Sequence, residues 1–335
     1  MDKGRIKVAV RVRPLIEREV KNNLPLHWKV EGQSVISTES RGAASQPGAI
    51  YDHVLGPDDS NWEVYSQVGQ PIVQAAMEGF NGTIFAYGQT SSGKTFTIMG
   101  PEGSILEENV PPDVVGIIPN TVMEIFETIE NTIDREYLLR ISYMELYNEK
   151  IMDLLTGQEN LKLRERDGQV IVEGLSEEIV SDPFAMYDLL KQGEDRRHFA
   201  ATRMNDRSSR SHTIFRIIIE SLLREDAVGD GVVVVSHLNI VDLAGSERVN
   251  QTGATGDRLR EGCAINKSLF TLAFVISKLA ENSGQHIAFR DSKLTRILQN
   301  SLGGNSMTSI ICNVTPTSKD ETLSTLRVYN FCSIM

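Results

Sequence analysis

Residues 88–95 read Gly-Gln-Thr-Ser-Ser-Gly-Lys-Thr, a fit to G-x-x-x-x-G-K-[ST] placed directly after a strand-like run, Gly82 to Tyr87, and before a segment able to form a helix. Glycines let such a loop wrap so that its N–H groups point at phosphate oxygens, and the following helix adds its positive N-terminus. Gly88, Gln89, Thr90, Ser91, Ser92 and Gly93 then form a phosphate cradle, Lys94 lies between β- and γ-phosphates, and the Thr95 hydroxyl ligates Mg²⁺. The bland alternative is a flexible Gly/Ser turn, but a chance match in a chain this long has odds of roughly one in a hundred.

The surrounding pattern agrees. Short strand-like runs alternate with helical stretches, which predicts an α/β fold: a single P-loop NTPase-type domain with a central, mostly parallel twisted sheet and helices on both faces. Strands are expected at Ile6–Val12, Gly82–Tyr87 and Tyr137–Leu146, and an antiparallel hairpin from Thr213–Leu222 and Val232–Val241 around the acidic Arg224–Gly231. Helices are expected at Ile117–Glu130, Asp257–Glu281, Thr295–Ser301 and Glu321–Phe331. Two loops stand out, Ser40–Gly48 and Gly100–Pro112. No linker-like stretch divides the 335 residues, so one domain covering 1–335 is expected. The chain stops at Met335 directly after a helical segment, as an excised domain would.

Composition narrows the class. With 40% hydrophobic and 24% charged residues, disordered and fibrous classes are excluded. Cys263, Cys312 and Cys332 are too far apart for a metal site or a disulfide framework, which fits a reducing compartment. No signal peptide and no apolar run of about 20 residues is visible, so a soluble cytoplasmic protein without membrane contact is expected. Lys plus Arg at 34 against Asp plus Glu at 45 gives a net charge of −11, which disfavours nucleic-acid binding.

Two further elements suit phosphate chemistry. The strand Val232–Val241 delivers Asp242 at its C-terminal end, where P-loop enzymes hold Mg²⁺ through a water, and Gly245 follows, able to bring a loop backbone close to a γ-phosphate. An Asp at a strand end is otherwise usually a turn residue. Asn205-Asp206-Arg207-Ser208-Ser209-Arg210-Ser211-His212 sets paired hydroxyls beside arginines just before a strand, which suits a loop closing on a polyphosphate as well as it suits a solvated polar loop.

Together and in this order these motifs resemble the kinesin motor domain. Asn205–His212 matches its N-x-x-S-S-R-S-H switch I, Asp242–Glu247 its D-L-A-G-S-E switch II, Arg11-Val12-Arg13-Pro14 its R-x-R-P strand end, and Phe289–Leu298 its Y-R-D-S-K-L-T-R segment. Ala288 and Phe289 depart from the usual Pro and Tyr, and Tyr329-Asn330-Phe331-Cys332 from the usual small and basic residues. Gln251–Leu269 and Tyr143–Leu155 look most like the centromere-associated, plus-end-directed branch.

The resemblance implies an ATP-hydrolysing microtubule motor domain, Mg²⁺ as cofactor, a mitotic role at the spindle and kinetochore, and a full-length homodimer through a coiled coil. It implies that Pro14 and Phe96 sandwich adenine, with Arg11 and Arg13 beside base and ribose. Asn205 belongs to the nucleotide loop, Ser209 reaches Mg²⁺ beside Thr95 and Asp242, Ser208 orients the attacking water, and Gly245 senses the γ-phosphate. Arg210 and Glu247 close as a salt bridge around ATP.

An acidic chain on an acidic track needs a concentrated positive patch, because charges beyond about 8 Å are screened at physiological salt. Between Gly256 and Asn305 seven bases (Arg258, Arg260, Lys267, Lys278, Arg290, Lys293, Arg296) face four acids (Asp257, Glu261, Glu281, Asp291), leaving +3 locally and −14 elsewhere. Lys267, Arg290, Lys293 and Arg296 are the expected tubulin contacts, with Arg164 and Arg166 contributing from a separate loop. A kinesin-like module that holds nucleotide and microtubule without productive motility is the alternative. An unrelated GTPase is disfavoured for want of an N-K-x-D signature.

Overall fold

The computed structural model describes residues 6–38, 50–101, 110–111, 113–166, 168–202, 207–224, 232–247, 257–280, 287–303 and 306–327. Its strands are β1 (Ile6–Val12), β2 (Trp28–Glu31), β3 (Ser34–Ser37), β4 (His53–Leu55), β5 (Asn81–Tyr87), β6 (Arg135–Tyr147), β7 (Lys150–Asp153), β8 (Glu159–Arg166), β9 (Gln169–Glu173), β10 (Glu178–Val180), β11 (Ser211–Leu223), β12 (Val234–Asp242) and β13 (Ser306–Val314). All but β2 and β3 join one sheet in the order β4-β1-β13-β5-β12-β11-β6-β7-β8-β9, with β10 along β6.

The sheet has two halves. From β4 to β12 every pairing is parallel, and β1 and β5 are buried nearly throughout, as strands covered on both faces must be. From β12 outward every pairing is antiparallel. Local connections account for this: β6 turns into β7 through Asn148 and Glu149, both at positive φ (48° and 58°), the conformation that a two-residue hairpin turn requires. The expected parallel sheet is thus the half that carries the phosphate loop, and the expected hairpin is β11 with β12.

Side chains alternate between two cores. Ile84 and Ala86 of β5 point into one, built with α2 (Asn61–Val64), α3 (Gln70–Met77), α4 (Lys94–Met99), α5 (Ile117–Asn131) and α6 (Pro183–Thr202). Short α1 (Glu17–Lys21) follows β1. Phe85 points into the other core, built with α7 (Asp257–Ala280), α8 (Lys293–Ile297), α9 (Gln299–Gly303) and α10 (Asp320–Leu326). Each Ile, Leu or Phe removed from water here is worth about 1.5–3 kcal/mol. No helix among the described residues is long and apolar enough to cross a membrane.

The expected helices α5 and α7 agree within a residue or two of their ends. The stretch expected as one helix at Thr295–Ser301 is two, α8 and α9, with Leu298 between them. The helix expected at Glu321–Phe331 is described to Leu326. The loop Ser40–Gly48, most of Gly100–Pro112, and Tyr329 to Cys332 lie outside the described residues.

Candidate nucleotide cleft and basic face

Parallel β5 and β12 end side by side, with Ala86 opposite Asp242, so the loops leaving them share one edge of the sheet. That edge is where open α/β sheets bind ligands. The loop after β5 is tightly constrained: Gly88 sits at φ +148°, and a Cβ there would lie 2.1 Å from the Asn313 carbonyl oxygen. Gly93, at φ +94°, starts α4. Lys94 Nζ is buried and donates to the carbonyls of Gly88 and Gln89, both at 2.9 Å. Burial lowers its pKa, and the negative charges of Asp242 and Glu247 oppose that shift.

Thr95 Oγ1 donates to Asp242 Oδ2 at 2.6 Å, joining the two residues expected at a metal. Asp242 Oδ1 is buried and has no hydrogen-bond partner among the described residues. One hydroxyl and one carboxylate with a lone pair to spare suit Mg²⁺, which takes few protein ligands and relies on waters and phosphates for the rest. Thr90, Ser91, Gly93, Lys94, Thr95, Phe96, Ser209, Asp242 and Leu243 line one cleft of about 220 Å³.

The segment after Asp242 is pinned residue by residue. Leu243 N–H donates to Ala86 O (3.2 Å), Ala244 N–H to His212 Nδ1 (3.0 Å), Gly245 N–H to Ser209 O (2.8 Å) and Ser246 N–H to Gly88 O (3.1 Å). Four consecutive amides therefore reach four different partners, among them the phosphate loop and the Arg207–Arg210 turn. A Cβ on Gly245 would fall 2.4 Å from both Thr90 Oγ1 and a Glu247 carboxylate oxygen, so any side chain there would displace the Thr90–Glu247 contact. Glu247 accepts from Thr90 N–H (2.8 Å) and Thr90 Oγ1 (2.5 Å).

Where the base is expected, Arg11 donates to Thr97 Oγ1 at 2.8 Å, and its guanidinium lies 5.5 Å from the centre of the half-exposed Phe96 ring. Burial pulls Arg11 down to about 10 while Asp59 opposes the shift. Pro14 is exposed nearby in sequence. Arg13, expected beside base and ribose, is buried, donates to Ser91 O at 2.8 Å, and grips Glu19 with two nitrogens at 2.7 and 2.8 Å. Its observed contacts brace the phosphate loop. The Arg13 hydrogen bond holds the Glu19 carboxyl at about 2, against a smaller opposing effect of burial.

Ser209 and Arg210 close the 3-10 turn Arg207–Arg210 and are half-buried. Arg210 lines a small hollow with His212, Ile265 and Ser268. Asn205 and the side chain of Ser208 lie outside the described residues.

Sequence reasoning missed Glu19 and Arg197, and gave His212 no role beyond its place in the Asn205–His212 motif. Arg197, on α6, is buried 3.6 Å from Glu194 and 3.9 Å from Asp242 Oδ2. Burial alone would lower its pKa, yet the fields of Glu194, Tyr143, Asp242 and Glu145 together raise it. It is one charge in a charged helix, and no motif marks it.

With this geometry in hand, comparison with known proteins decides the family. The family model "Kinesin motor domain" matches residues 11–332. The chain belongs to the kinesin motor family. It is 47% identical over 334 residues to centromere-associated protein E of Homo sapiens, covering 97% of this chain and 12% of that protein. It is 46% identical to kinesin-related protein 4 of Dictyostelium discoideum, covering 96% of this chain and 16% of that protein. The chain thus spans less than a fifth of the length of either relative. A solved structure of a fast kinesin superposes with a TM-score of 0.88 at 41% identity, covering 98% of this chain and 91% of that one. Kinesin motor domains are microtubule-based ATPases, and this chain carries that domain.

The kinesin fold also gathers Arg290, Lys293 and Arg296 around one hollow. Lys267 is exposed on α7, Arg290 is exposed just before α8, and Lys293 and Arg296 are half-buried on α8. Arg164 lies on strand β8, in place of the expected separate loop. With Lys162 it lines the same hollow of about 400 Å³ as Arg290, Lys293 and Arg296. Arg166 ends the same strand. Acids interleave: Glu165 pairs with Arg290 at 3.0 Å and Arg296 at 3.5 Å, and Glu173 with Arg164 at 3.1 Å.

Proposed function

We propose that this chain hydrolyses Mg-ATP in the cleft and converts the state of the γ-phosphate into a change of grip on the microtubule. The observation that carries the reading is the run of amides at residues 243–246, which ties phosphate loop, Ser209 and His212 to one short segment.

In this reading Gly88 to Thr95 hold the phosphates, Lys94 exchanging its carbonyl contacts for phosphate oxygens. Thr95, Ser209 and, through a water, Asp242 hold Mg²⁺, which when bound supplies charge neutralisation at the phosphates. Arg11, Pro14 and Phe96 receive the base. Gly245 gives up its bond to Ser209 O and donates to the γ-phosphate, shifting the segment. Ser208 orients the attacking water. Glu247 leaves Thr90, pairs with Arg210, and accepts the proton through a water chain, so no arginine from another protein is needed.

On the track side, Lys267, Arg290, Lys293 and Arg296, joined by Arg164, meet the acidic microtubule. Similarity to centromere-associated protein E supports a plus-end-directed, mitotic motor working at spindle and kinetochore, within a longer protein that dimerises through a coiled coil. Steady-state ATPase with and without microtubules tests the core of this. Turnover that rises with polymer is expected. Nucleotide binding without stimulated turnover would leave a nucleotide-holding microtubule module.

A further inference from the structure

His212 is the second residue of β11 and is 3% exposed. Its Nδ1 accepts from Ala244 N–H at 3.0 Å, so that nitrogen carries no proton. The neutral ring then bears its proton on Nε2, which donates to Ser268 Oγ at 2.8 Å, and the Ser268 hydroxyl donates to Ile265 O at 2.7 Å. Burial, then the positive charge of Lys94, pull the imidazole down to about 3, so at neutral pH the ring is uncharged. The result is a directed chain of donors, from the amide beside Gly245 through one planar ring into α7. Each link has one donor and one acceptor, and one ring orientation satisfies both ends.

The placement of the two ends matters. Ala244 sits between Leu243, bonded to β5, and Gly245, bonded to Ser209. Ser268 is buried on α7, directly next to exposed Lys267. Hydrogen bonds of 2.8–3.0 Å are lost when a partner moves by roughly 1 Å. A rigid ring held at both nitrogens therefore makes segment and helix move together or lose the link, which is a discrete change and not a gradual one. We propose that His212 is a positioning residue that transmits movement of residues 243–246 to α7 through Ser268. This rests on the function proposed above, and names the path by which the cleft sets the grip.

The test is co-sedimentation with microtubules in ADP and in a non-hydrolysable ATP analogue, the ratio of the two Kd values measuring the coupling. Ser268→Ala leaves the Ala244–His212 bond and removes the helix end. His212→Asn places an acceptor near the position of Nδ1 and removes the reach to Ser268. Each is expected to lower the ratio about 5-fold or more, and the double variant no further than either single one. Ser268→Thr, which keeps the hydroxyl, should restore it. A Ser268→Ala protein with the wild-type ratio would overturn the proposal. So would additive losses in the double variant, or a parallel loss of both affinities with a lowered Tm and an unchanged ratio, the signature of a merely structural histidine. A wild-type chain that does not bind microtubules would instead remove the proposed function, and this path with it.

Discussion

The nucleotide cleft and the basic face lie on one sheet and are built by opposite means. In the cleft Lys94 and Asp242 are buried, Glu247 is half-buried, and the working groups are held by short, specific bonds: Lys94 on two carbonyls, Thr95 on Asp242, Glu247 on Thr90. On the basic face the cations are exposed or half-exposed, and several share an acid such as Glu165. Removing one buried partner leaves another buried and unsatisfied, whereas an exposed ion pair is worth under about 1 kcal/mol. Function in the cleft therefore concentrates in single atoms. Function on the face is spread over a field.

The sharpest way to break this contrast is Lys94→Ala, where loss of the fixed cation should lower kcat/KM for ATP by about 1000-fold or more, read by steady-state turnover and nucleotide titration. Wild-type turnover would show that the cleft does not concentrate its chemistry.

Next in size is Glu19→Gln, which leaves the buried Arg13 guanidinium without its carboxylate at a cost of about 3 kcal/mol at neutral pH. Glu19 titrates at about 2 in the fold against an ordinary 4.5, so its stabilisation is complete above 4.5 and lost as pH falls through 2. Thermal midpoints of variant and wild type should converge over that window. A constant gap would mean the pair is not the cause.

Glu247→Ala should slow single-turnover hydrolysis about 100-fold or more while nucleotide affinity changes little, because Glu247 is assigned to proton transfer and not to ground-state binding. Equal losses in both would make it a structural partner of Thr90.

The face should respond more weakly. Replacing Arg290, Lys293 and Arg296 together with alanine should weaken microtubule binding about 10-fold at low salt and much less at high salt. Arg164→Ala alone should cost about 2-fold, its charge being exposed and shared with Glu173. A single substitution here as damaging as the triple would erase the distinction between the two regions.

Particular residues show how far the sequence could be read. The phosphate loop was legible because its strand, glycines, lysine and threonine are contiguous, and so was α7, whose apolar positions recur at helical spacing. α6 was not: its buried side presents Arg197 where periodicity asks for an apolar residue, while Phe184 and Phe199 are exposed. Glu19 and Arg13 are six residues apart, and nothing in their spacing announces a fork around the Ser91 carbonyl. Arg164, expected in a separate loop, lies in β8 opposite Ile171 of β9, a pairing that only the fold reveals.

What the sequence by itself determined were the elements whose information is local: the phosphate loop, the strands and helices with clean periodicity, and the five motifs that carry the family resemblance. The tertiary structure decided what depends on contacts between distant segments: that Asp242 meets Thr95, that four consecutive amides bond to four different partners, and that Arg164 shares a hollow with Arg296. The reason is physical. Hydrogen bonds and ion pairs act over about 3–4 Å, and only strand order and register bring groups separated by more than a hundred residues within that reach.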